Sequence, residues 1–137
     1  MFETYLTVSG RLISDPTVRT ISTGDKLCTF RMVAQERRLN RDSQEWVDGD
    51  KLYVNVKCWR KLAENVPGSL YKGDQVLVHG RLYLNQYEAA NGEARQSIDL
   101  DARAVGPDLF WSRAILQRSQ RADAVGDDLA TQGALAA

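Results

Sequence analysis

Little in this sequence can build a covalent or metal-held framework. Two cysteines, Cys28 and Cys58, and one histidine, His79, are all it has of the softer ligands. A structural metal site takes about four N or S ligands at close spacing. These three residues form no CxxC pair and no cluster, so neither a metal nor a cofactor is expected. The cysteines read as buried, reduced thiols; a disulfide between them or between subunits is the alternative. No apolar run approaches the roughly 20 residues that cross a bilayer as a helix. The start, MFETYLTVSGRL, has no basic stretch leading into an apolar one, so no secretory signal is expected and the cytoplasm is the default compartment. An excess of either charge is missing too: 18 Lys and Arg balance 18 Asp and Glu. Nucleic-acid binders are usually basic, so composition argues against that class. Residues 111–137 hide no bias, because Arg113, Arg118 and Arg121 balance Asp123, Asp127 and Asp128. Any electrostatic case must rest on where the charges sit.

The equipment of catalysis is equally thin. His79 lies inside an alternating segment, and no Ser or Cys has a partner base at recognisable spacing. No glycine-rich phosphate loop is present. Asp99 and Asp101 share a strand face and are the one pair able to hold a divalent ion; solvated surface positions are the expectation for both. No catalytic residue is assigned, and the protein is not expected to be an enzyme.

What the chain does have is alternation. Its 137 residues, 43% of them hydrophobic, support one domain with a real core and a tail. Residues 4–13, 27–35, 51–59, 75–84 and 97–104 each alternate apolar with polar side chains. Turn signals separate them: Ser14-Asp15-Pro16, Thr23-Gly24-Asp25, Lys72-Gly73-Asp74 and Asn91-Gly92. Between the third and fourth segments, residues 60–71 place Leu62, Ala63, Val66 and Leu70 at helical spacing, cut short by Pro67-Gly68. An all-β, five-stranded Greek-key barrel with a short helix between strands three and four is the OB-fold order. Residues 36–50 read as a long polar loop and residues 86–96 as a hairpin arm. From Ser119 onward the composition predicts disorder.

Successive residues of a strand face opposite sides. In the third segment Leu52, Val54, Val56 and Cys58 take the core side, leaving Tyr53, Asn55, Lys57 and Trp59 outside. In the fourth, Val76, Val78, Gly80, Leu82 and Leu84 point in, while Leu77, His79, Arg81 and Tyr83 point out, with Tyr87 farther along the arm. In the second, Cys28, Phe30, Met32 and Ala34 point in, and Thr29 and Arg31 point out. Outward aromatics interleaved with cations suit single-stranded nucleic acid: rings stack on bases for about 1–3 kcal/mol each, and Lys and Arg pair with phosphates. A subunit interface and ordinary packing are the competing readings of such a face. Trp46, in the polar segment, reads as a loop anchor, and Trp111 as a subunit contact.

The segments VSGRLISDPTVR (8–19), FRMVAQERR (30–38), WRKLAENV (59–66), LYKGDQVLVHGRL (70–82) and YEAANGE (87–93) resemble, as an ordered set, the bacterial single-stranded DNA-binding protein family in its actinobacterial form. The resemblance covers roughly residues 3–112. It implies a domain over residues 1–112 and a short tail over 113–137. It also implies a homotetramer in the cytoplasm, associated with the nucleoid, that coats single-stranded DNA in replication, recombination or repair. Stacking positions of the family fall on Tyr53, Trp59 and Tyr87, and a fourth, usually aromatic, on Arg38. The phosphate partners expected on this face are Arg31, Arg37, Lys57, Lys61, Lys72, Arg81 and Arg95. The final stretch, GDDLATQGALAA, lacks the acidic tip with Pro-Phe by which family members recruit replication and repair enzymes. It is similar to the short-tailed paralogue found beside the full-length protein. The competing function is an OB-fold interaction subunit without strong nucleic-acid binding.

Overall fold

Alternation and turn chemistry together specify the strand order. The computed structural model describes residues 3–118; the expectations placed on the tail beyond Arg118 lie outside those residues. Among the described residues, six strands and one short helix follow in order: β1 Thr4–Leu12, β2 Thr17–Thr20, β3 Lys26–Asn40, β4 Glu45–Trp59, α1 Lys61–Asn65, β5 Gln75–Glu88 and β6 Ala94–Pro107. β1 runs antiparallel to β5 and β5 to β6, while β6 meets β4 in a short parallel stretch from Asn55↔Asp99 to Lys57↔Asp101. β4 pairs with β3, and the end of β1 turns back onto β3 through Arg11↔Val33 and Leu12↔Met32. That last contact closes the ring. The result is the expected OB-fold barrel of five strands, with α1 between the third and fourth of them.

The barrel is filled by the inward side chains. Leu12, Met32, Val54, Val56, Val78 and Leu100 are all about fully buried. Each such aliphatic group stabilises the fold by roughly 1.5–3 kcal/mol relative to exposure. Ala63 of α1, with Val66 and Leu70 after it, joins the same cluster. Arg60 turns the chain from β4 into α1 at φ 56°, a conformation costly for a residue with a Cβ.

Several expectations need correction. β2 is a sixth strand, four residues long and fully exposed, paired only with β3. Residues 36–50 are not a loop: β3 and β4 continue through them as a hairpin arm that closes at Asn40↔Glu45, with one irregularity between Gln35 and Arg37. Leu52 and Leu84, expected inside, are exposed at 38% and 54%. The reason is the same for both. β4 and β5 run past the barrel wall into arms, where alternation persists but no second layer covers the apolar side. Trp46 anchors nothing: it stands 62% exposed on the arm, opposite Leu39.

Cys28 and Cys58 face each other across β3 and β4, both buried and both free. Burial raises both thiol pKa values, and the neighbouring Cys28 helps push Cys58 from its ordinary 9.0 up to about 12. Between those values the folded chain holds a proton that the unfolded chain has lost. Stability is therefore unaffected below pH 9.0 and falls as pH rises toward about 12. At neutral pH a thiol reagent should leave the folded protein unlabelled and label both cysteines after denaturation. Immediate labelling of the native chain would contradict this burial.

Candidate nucleic-acid interface

The outer face of β3, β4, β5 and β6 is where the expected side chains meet. Pairing register sets their neighbours: Arg31 lies opposite Asn55, Lys57 opposite Asp101, Tyr83 opposite Asp99 and Tyr87 opposite Arg95. An open groove of about 470 Å³ runs across this face, with Arg31, Asn55, Lys57, Asn85, Tyr87 and Asp99 among its walls.

Tyr53, Trp59 and Tyr87 present 45%, 37% and 49% of their surface to solvent. The Arg31 guanidinium lies 5.0 Å from the centre of the Tyr53 ring, a cation–π contact that keeps both planes on the surface. Trp59 ends β4 opposite Leu27 and borders a second recess with Asp25, Arg60, Asp101 and Arg103. Tyr87 stands on the β5–β6 arm at the far end of the groove. Arg38 lies one residue along β3 from Arg37, so alternation turns it to the opposite side of the arm, where it donates to Asp50 at 2.9 Å.

The cations differ in what already holds them. Lys57 sits 3.2 Å from Asp99 and donates to the Tyr83 hydroxyl at 3.0 Å. The hydrogen bond to Tyr83, with Asp99 behind it, keeps the ammonium pKa above its usual value, while burial pulls the other way. Arg81 meets Asp101 at 2.8 Å, and its guanidinium lies 4.5 Å from the centre of the Tyr83 ring. The bond to Asp101 pushes the Arg81 pKa further up. Arg37 faces Asp48 at 3.7 Å and Arg95 faces Glu93 at 3.2 Å, both in the open arms. Lys61 pairs with Glu64 on α1. The backbone N–H of Lys72 donates to Asp15 in the turn before β5. Neither Lys61 nor Lys72 lines the groove. Arg31 has no carboxylate partner among the described residues.

Sequence reasoning missed Asp99. It was expected in solvent and is 1% exposed. Its carboxylate accepts from Ser97 Oγ at 2.8 Å and from Asn55 Nδ2 at 3.3 Å, besides pairing with Lys57. A buried carboxylate is tolerated only with such partners. No group of three or more acidic, His or Cys side chains suited to a metal occurs among the described residues. No helix among them is long and apolar enough to cross a membrane.

Comparison with known proteins agrees with this geometry. Residues 4–108 match the single-strand binding protein family. The single-stranded DNA-binding protein of Paenarthrobacter aurescens is 41% identical over 119 residues, covering 87% of this chain and 70% of that protein. The one from Corynebacterium glutamicum is 40% identical over the same span, and this chain matches only 53% of its length. The small single-stranded DNA-binding protein of Streptomyces coelicolor superposes with a TM-score of 0.74 at 34% identity, over 82% of this chain and 100% of that structure. The second single-stranded DNA-binding protein (SSBb) of Mycobacterium smegmatis gives 0.63 at 36% identity, over 85% and 100%. With an OB-fold barrel, an outer face that interleaves aromatic and cationic side chains, and these matches, the chain belongs to the single-strand binding protein family.

Proposed function

We propose that this protein binds single-stranded DNA without sequence preference, by stacking bases on Tyr53, Trp59 and Tyr87, and that it works by binding and not by catalysis. The observation that carries the reading is the placement of these three rings on one outer face beside Arg31 and Lys57. Bases in a duplex hide their π-faces, so a stacking surface selects single strands. Oligo-dT should bind well ahead of a duplex of equal length in a mobility-shift titration. Equal affinity for the two would refute the stacking reading.

The proposed binding unit spans residues 1–112, with 113–137 as an appended tail. Coating of exposed strands in replication, recombination or repair, in the cytoplasm at the nucleoid, is the role that fits such binding. Trp59→Ala should cost about 1–3 kcal/mol of oligo-dT affinity, and Tyr53→Ala and Tyr87→Ala somewhat less, because a phenol ring is smaller than an indole. All three rings are substantially exposed, so melting temperatures should change little. Unchanged affinity in all three folded variants would remove these residues from the site.

A homotetramer is the proposed assembly. Leu77, Leu109, Phe110 and Trp111 are 41%, 66%, 82% and 64% exposed, an amount of apolar surface that a second copy would cover. Light scattering should give four times the chain mass of 15.4 kDa; the monomer mass would contradict it.

A further inference from the structure

The centre of the outer face carries two cations and two carboxylates in contact: Lys57 with Asp99 at 3.2 Å and Arg81 with Asp101 at 2.8 Å. Its net charge is therefore zero. Tyr83 touches both cations: the Arg81 guanidinium lies 4.5 Å from its ring centre, and Lys57 donates to its hydroxyl at 3.0 Å. The recess beside Trp59 also mixes the two signs, with Asp25 and the same Asp101 beside Arg60 and Arg103. Taking the face as the single-strand site proposed above, we propose that Asp99 and Asp101 hold its centre neutral, so that bases and not phosphates lie over it, and that Asp101 sets how steeply salt weakens binding.

The physical reasons are specific to these positions. A phosphate approaching Arg81 meets the Asp101 carboxylate on the same guanidinium. Both side chains are only about 30% exposed, at 32% and 26%, so water and salt screen that repulsion less than at an open surface. Asp99 cannot swing aside, because Ser97 and Asn55 hold it along with Lys57. Phosphate neutralisation is what makes single-strand affinity fall with salt, by a slope of about 0.7 in log–log form per phosphate. A neutral centre contributes nothing to that slope. The steepness is left to cations outside it, such as Arg31 above Tyr53. Affinity then rests more on stacking, which salt does not weaken.

The test is the binding of oligo-dT to the full chain and its variants over a tenfold rise in salt. Asp101→Asn keeps the shape and frees Arg81. It should bind more tightly at low salt and lose about fivefold more affinity than the intact chain across that range, the effect of one additional phosphate. Asp99→Asn should change the slope in the same direction through Lys57. The double variant Arg81→Gln/Asp101→Asn should return the slope to that of the intact chain. Circular dichroism confirms that each variant is folded. Folded Asp101→Asn and Asp99→Asn with the parent slope would overturn the assignment while leaving single-strand binding intact. A double variant whose slope falls below the parent would do the same, since Arg81 would then be an ordinary phosphate contact. An intact chain that does not bind oligo-dT would instead overturn the functional reading, and this proposal with it.

Discussion

Gly80→Ala should destabilise the fold by about 3 kcal/mol or more, a large part of the ~5–15 kcal/mol that holds a typical domain together. The β5–β6 register slips between His79 and Gly80, and the β6 backbone passes directly against the glycine. A Cβ there would overlap the carbonyl oxygen of Asp101 and crowd the Cα of Ala102. Backbone cannot step aside as a flexible side chain can. The displaced segment would carry Asp101, Asp99 and Leu100, so the pairing of β6 with β4 would be disturbed as well. Gly106→Ala, also on β6, meets nothing within contact distance and should stay within about 0.5 kcal/mol of the parent. Urea unfolding of both variants makes the comparison. Equal midpoints would mean that β6 does not approach Gly80 as closely as described.

Lys57→Ala should be the costliest change on the outer face, about 3 kcal/mol of stability. The loss comes from Asp99 more than from the lysine. With Lys57 gone, a carboxylate that is 1% exposed keeps only the Ser97 hydroxyl and the Asn55 amide as donors. Lys57→Ala combined with Asp99→Asn removes the stranded charge and should recover much of the lost stability. A single variant as stable as the parent would show that the pair contributes nothing to folding. The consequence for binding studies is direct: weaker DNA binding by Lys57→Ala is not evidence of a phosphate contact until the folded fraction is known.

Much of this arrangement was legible in the residues. The run Tyr53, Asn55, Lys57, Trp59 against Val54, Val56, Cys58 assigned the two sides of β4 correctly, because a period of two admits no other division once one side is apolar. The missed contacts depended on a register that the turn signal places only to within one residue. The Asn91-Gly92 pair marks the β5–β6 hairpin, but the hairpin closes from Ala89 to Glu93 around Asn91, so that counting from a two-residue turn puts Tyr83 opposite Leu100, one residue off the observed Asp99. What alternation does not encode is where the barrel wall stops. Leu52 and Leu84 continue the apolar series into arms that nothing covers, so they were placed inside and stand in solvent. The polar residues 36–50 gave a loop because exposed arms need no apolar side, and the hairpin there is held by backbone pairing. β2 has only four residues and no buried side chain to announce it. The zero net charge, which argued against nucleic acid, finds its explanation in pairs: most of the expected phosphate partners already face a carboxylate.

The central claim is that bases lie on one particular face of the barrel. Ultraviolet cross-linking of oligo-dT to the full chain, followed by peptide mapping, tests it most directly. Two other aromatic residues provide internal references, since Tyr71 at 56% and Trp111 at 64% are at least as exposed as the proposed stacking rings but lie outside the strands of that face. Adducts on Tyr53, Trp59 and Tyr87 are the expected result. Adducts confined to Tyr71 and Trp111 would contradict the account.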